Sequence, residues 1–145
     1  MPAHRLSQIR TSLRTAILAN AGFTTAVHRF EPGPEYKDAA EVIWFRNASA
    51  DSMPAAPGSI FDDVALEVVI KTRASGQGDT AAGTAEDRAL ALLEIIEDTI
   101  TDDPTLTNLV LDTNLTRYES QTDVASGDRI CTVVAVVEFQ LQVNH

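Results

Sequence analysis

The sequence predicts an α+β domain: a mainly antiparallel sheet of about five strands with two helices packed on one face. Three observations predict it. Two segments repeat apolar residues at helical spacing, several others alternate or run continuously apolar at strand length, and their order is helix, strands, helix, hairpin. With 145 residues, no internal repeat and no composition break, the chain reads as one domain, 1–145.

The first helix rests on Leu6, Ile9, Leu13, Ala16 and Ile17, with Ser7, Arg10 and Arg14 on the opposite side; Asn20-Ala21-Gly22 stops it, Gly22 suiting a left-handed cap. A short β-prone stretch, 24–30, is broken by Pro32-Gly33-Pro34, and Val42-Ile43-Trp44-Phe45 forms the next strand. Residues 47–60 are rich in Ala, Ser, Pro and Gly and read as a long loop. A long strand over 61–73 alternates Val64, Leu66, Val68 and Ile70 with Ala65, Glu67, Val69 and Lys71. Residues 74–83 read as a flexible connector, and Thr84 as the N-cap of a second helix over about 85–100, with Ala89, Leu92, Leu93, Ile96 and Ile100 as its buried stripe. Asp102-Asp103-Pro104 ends that helix. A polar strand over 111–123, a turn at Ser126-Gly127-Asp128 and an apolar strand over 129–143 complete the chain.

Two strands are apolar on both faces. In the last, Cys131, Val133, Ala135, Val137, Phe139 and Leu141 occupy one face, and Ile130, Val134 and Val136 the other. Two helices cover only one face of a sheet, so the second apolar set needs either a curl of the sheet or a neighbouring subunit. At about 25 cal/mol per Å2, leaving several such side chains wet forfeits several kcal/mol, which is of the order of a small domain's whole stability.

The formal net charge of -10 is lopsided. Residues 1–78 hold eight acidic and eight basic side chains, whereas 79–145 hold thirteen acidic ones against Arg88, Arg117 and Arg129. A chain so poor in clustered cations is unsuited to gripping phosphate. Between copies the charge either repels, or is met by pairs in which Arg10, Arg14, Lys71 or Arg73 face acids such as Glu86, Asp87 or Glu97. No apolar run approaches the ~20 residues of a membrane span, and the N-terminus lacks the apolar core of a signal peptide. The single Cys131, inside an apolar strand, reads as a buried, inert thiol.

No catalytic constellation emerges. Gly76, Gly78 and Gly83 lack the Lys-Ser or Lys-Thr of a phosphate-binding loop. His4, His28 and His145 are dispersed, and Asp62-Asp63, as strand neighbours, point to opposite faces. No enzyme activity, cofactor or metal is expected. Arg46, Lys71 and Arg73 flank the two expected loops; with Met53 inside the first, they are the candidate interface residues.

The helix LSQIRTSLRTAILANAG, the long strand and connector DVALEVVIKTRASGQGDTAAG, and the final helix and hairpin ending RICTVVAVVEFQLQV resemble, across essentially the whole chain, the tail terminator proteins of long-tailed bacteriophages, the minor tail protein U family. The resemblance implies a non-enzymatic virion protein at the head-proximal end of the tail, assembled in the host bacterial cytoplasm. It implies a self-assembled ring, six-fold in expectation, that caps the tail tube protein, stops its polymerisation and meets the head-tail connector protein. DNA would pass through the lumen without specific binding, and no membrane is involved. A neck or head-completion protein of a similar phage is the competing reading, and a small ligand-binding α+β domain a more distant one.

Overall fold

The computed structural model describes residues 2–36, 39–56 and 59–144, with side chains over 5–36, 39–49 and 63–141. Helix α1 (Pro2–Leu18) leads to β1 (Ala26–His28), β2 (Glu41–Ala56), β3 (Ser59–Ser75), α2 (Asp79–Asp102), β4 (Asp112–Ala125) and β5 (Asp128–Asn144). The strands form one five-stranded sheet in the order β1-β2-β3-β5-β4. All neighbours are antiparallel except β1 and β2. The α+β class, the five strands and the two helices are those the sequence predicts.

Alternation decides what is inside. Val64, Leu66, Val68 and Ile70 of β3, Ile43 and Phe45 of β2, and Cys131, Val133, Ala135, Val137, Phe139 and Leu141 of β5 are all buried against Ile9, Leu13 and Ile17 of α1 and the α2 stripe. Thr72 interrupts this apolar face without penalty, because its hydroxyl donates to Ala85 O at 2.6 Å. The thiol of the buried Cys131 lies 3.5 Å from the Ser120 hydroxyl. Gly22 does adopt the left-handed conformation, with φ 74°, and Asn20 donates to Ile17 O and to Thr99 Oγ1, tying the end of α1 to α2.

Two sequence expectations are overturned. Residues 47–56 are not a loop: they continue β2 in register with β3, from Ala48 opposite Leu66 to Ala56 opposite Ser59. Weak local β-propensity yields to the ladder, because β3 is itself paired with β5 to its end and offers β2 a template of backbone donors and acceptors. A bulge between Phe45 and Ala48 absorbs the irregularity. The connector over 74–83 also shrinks. Ala74 and Ser75 belong to β3, and α2 begins at Asp79, with Gly78 at its N-cap position. Thr84 lies inside the helix, its hydroxyl donating back to Thr80 O at 2.9 Å, so it caps nothing. Burial of Ala81 and Ala85 draws the glycine-rich segment into the helix.

After α2, Leu106, Thr107 and Asn108 are consecutively left-handed, with φ 47°, 57° and 66°. This costly turn is held by the Asp103 carboxylate, which accepts from the Thr107 amide and hydroxyl, and by burial of Leu106 and Val110. The β4–β5 connection is a two-residue turn, Ser126-Gly127, both at positive φ, which suits the twist of a hairpin.

Gly83 offers a direct test of the helical assignment. It lies within α2, is exposed, and a Cβ built there meets nothing within 4 Å. Gly83→Ala therefore raises stability by about 0.5–1 kcal/mol in denaturant titration; an unchanged or lowered stability would contradict the helical assignment.

Candidate assembly interface

The outer face of the sheet, away from the helices, is only partly covered. The parallel β1–β2 pair requires a crossover, and the chain between them passes over this face, so that Pro32, Pro34 and Tyr36 line an open cleft of about 340 Å3 with Val42, Trp44 and Lys71. Val42 and Val69 are buried there. Tyr36 meets the His28 ring edge-on at 4.4 Å. Farther along, Ile130, Val134 and Val136 of β5 remain half-buried with polar neighbours on β4, so the chain's own cover stops short of them.

Arg46, Lys71 and Arg73 share this outer face but do not converge. Arg46, 43% exposed, holds both carboxylate oxygens of Glu67 at 3.1 and 3.3 Å. Lys71 stands opposite Val42, four strand residues or about 13 Å from the level of Arg46. Arg73 serves the fold: its Nε donates to Asp128 at 2.7 Å, pinning the β4–β5 turn to the end of β3. The Arg73 guanidinium and then the Gly76 amide lower the Asp128 pKa. Met53 sits in β2 opposite Phe61, and its side chain lies outside the described residues.

Sequence reasoning did not show how the arginines of α1 are engaged. Both were set opposite the apolar stripe; Arg14 is exposed, but Arg10 is 7% exposed and its guanidinium donates to Arg29 O and Arg46 O, both at 2.8 Å, while stacking 4.6 Å over Phe30. Burial lowers its pKa from the usual value without costing a guanidinium its charge. Arg14 donates to Val27 O at 2.7 Å. The outward carbonyls of the β1 edge are thus closed by α1. Carbonyls have no side chain to read, so no residue pattern announces this.

A third tie holds β2 to α2. Arg88 donates to Glu41 at 2.6 and 2.8 Å, and the Thr25 hydroxyl also donates to that carboxylate. The Arg88 hydrogen bond is the main cause that lowers the Glu41 pKa, against desolvation. A depressed carboxylate stabilises the fold above its unfolded pKa and loses that contribution as pH falls through the folded one.

At the opposite end of the sheet β4 has no outer neighbour among the described residues, and Tyr118 and Val124 are 53% and 54% exposed. The extent of the sheet also exceeds its helical cover. Strands of 17 residues span about 56 Å, against about 36 Å for the 24 residues of α2. Beyond Asp112 opposite Gln140, β2, β3 and β5 continue as a three-stranded arm. Among the described residues no group of three His, Cys, Asp or Glu side chains could hold a metal, and no helix is long and apolar enough to cross a membrane.

The two kinds of arginine separate in a stability measurement. Arg10→Ala leaves two carbonyls without their donor and costs about 1–3 kcal/mol. Arg46→Ala removes an exposed ion pair and costs below about 1 kcal/mol. Equal losses would contradict this assignment.

No family model matches the sequence, and no curated protein matches it. In fold, the chain is similar to a chain of the virion of a native gene transfer agent particle, with a TM-score of 0.50 at 10% sequence identity, over 90% of this chain and 93% of that one.

Proposed function

We propose that this protein is a non-enzymatic structural component of a phage-like virion, and that within it the chain forms a ring, six-fold in expectation, that caps the tail tube, ends its polymerisation and meets the head-tail connector. The observation that carries the reading is the fold likeness to a virion chain, extending over nine-tenths of both chains. The surface supports it: a half-covered outer face bearing Arg46, Lys71 and Arg73, one open sheet edge, and a three-stranded arm that includes Met53. Each is a feature that a solitary domain leaves wet and an assembled one covers. The acidic excess of residues 79–145 suits a ring whose lumen lets DNA through without holding it.

The test adds purified protein to polymerising tail tube protein from the same particle and follows tube ends by electron microscopy. The expected result is a ring at one end of each tube and growth halted there. Tubes that elongate unchanged and uncapped, or protein found only on heads, would overturn the tail-capping role; the second outcome assigns it to the neck.

A further inference from the structure

The free edge of the sheet is regular where it is most exposed. After the irregularity between Leu115 and Arg117, β4 pairs with β5 without interruption from Arg117 opposite Val136 to Ala125 opposite Asp128, nine residues with no neighbour on their other side among the described residues. A strand paired on one side only turns the amides and carbonyls of alternate residues outward. Neither proline nor glycine interrupts this stretch, and no bulge turns it aside.

The register sorts its side chains. Tyr118, Ser120 and Thr122 stand opposite Ala135, Val133 and Cys131, which face the helices, and Val124 follows on the same side. Arg117, Glu119, Gln121 and Asp123 stand opposite Val136, Val134, Thr132 and Ile130, on the outer face. One side of the edge therefore offers exposed apolar surface at Tyr118 and Val124. The other offers two exposed carboxylates, Glu119 and Asp123, with Arg117 the single cation of the strand. Charge alone serves to keep an edge single, but exposed Tyr118 and Val124 do not serve that end.

A second copy of this chain supplies no strand of the matching kind. The β1 carbonyls at Val27 and Arg29 already accept from Arg14 and Arg10. The part of β2 beyond β1, 47–56, carries Asp51 without a cation, and its Pro54 has no amide to donate. Pairing β4 with β4 would set two Glu119 and two Asp123 against two Arg117.

We propose that β4 takes an added strand from a protein other than this chain. That strand is an extended segment with Lys or Arg at two positions four residues apart, against Glu119 and Asp123, and β-branched or aromatic side chains at alternating positions, against Tyr118 and Val124. Main-chain hydrogen bonds supply the affinity of such a strand and its alternate side chains the specificity. The virion reading bears only on the source of the strand, which is then another protein of the particle.

The test uses the peptide TVKVTVKVT, which sets lysines against Glu119 and Asp123 and valines on the helix side in either strand direction, with TVEVTVEVT as its control. Hydrogen exchange on the whole protein should show TVKVTVKVT slowing the amides of 117–125. Fluorescence anisotropy should show the glutamate peptide binding about tenfold more weakly, with a gap that narrows as salt is raised. In the double variant Glu119→Lys and Asp123→Lys, both at exposed positions, the preference should reverse, a gain that misfolding does not produce. Exchange over 117–125 unchanged by either peptide, or equal binding of both to protein and variant, would overturn the proposal while leaving the virion reading in place. Amides of β4 that gain protection with rising protein concentration, in the absence of peptide, would overturn the foreign strand in favour of a second copy. A chain that binds TVKVTVKVT yet leaves tail tubes uncapped supports the edge and contradicts only the tail-capping role.

Discussion

The rest of the structure hangs on the pairing of β3 with β5. Seventeen residues of each strand run in unbroken register, from Ser59 opposite Asn144 to Ser75 opposite Asp128. A slip by one residue would turn Leu66, Val68, Ile70, Val133, Ala135 and Val137 away from the helices, so the apolar alternation of both strands fixes that register. The other elements build on this pair. β2 extends along β3, β4 along β5, and α2 packs across them. Arg73 and Asp128 tie the open end of the pair at the point where the β4–β5 turn returns.

This arrangement closes one face of the sheet and leaves the other half-finished. The crossover between β1 and β2 shields Val42, but β5 keeps Ile130, Val134 and Val136 partly exposed. The edges diverge as well. At the β1 end Arg10 and Arg14 occupy carbonyls that another strand would seek, which blunts backbone pairing there. At the β4 end the backbone is open and the surrounding charge negative. A molecule with two unlike ends is suited to directional assembly.

Much of this was legible in the sequence. The stripes Leu6-Ile9-Leu13-Ile17 and Ala89-Leu92-Leu93-Ile96-Ile100 and the alternation over Val64–Ile70 located the helices and the central strand, because periodicity records burial directly. The tip of the β2–β3 hairpin was not legible: NASADSMPAA has the composition of a loop and becomes strand only because the adjacent chain offers it a ladder. The start of α2 was hidden by Gly78 and Gly83, and its true first turn, at Asp79, by the more conspicuous Thr84. At the candidate interface, the alternation over 61–73 set Lys71 on the side away from Val64, Leu66, Val68 and Ile70, whereas Arg46 was marked only as flanking an expected loop. Arg73 is engaged by Asp128 across a long sequence separation, and the bonds of Arg10 and Arg14 run to backbone oxygens, which no residue pattern encodes.

The central claim is that the chain acts by assembling, which covers the open β4 edge and the half-covered outer face. Hydrogen exchange of the assembled protein against the dissociated one tests it most directly, residue by residue. The account predicts that amides of β4, 112–125, gain protection on assembly, while the β3–β5 ladder, already paired, changes little. Protection that instead appears along the outward side of α2, with β4 exchanging equally fast in both states, would contradict it.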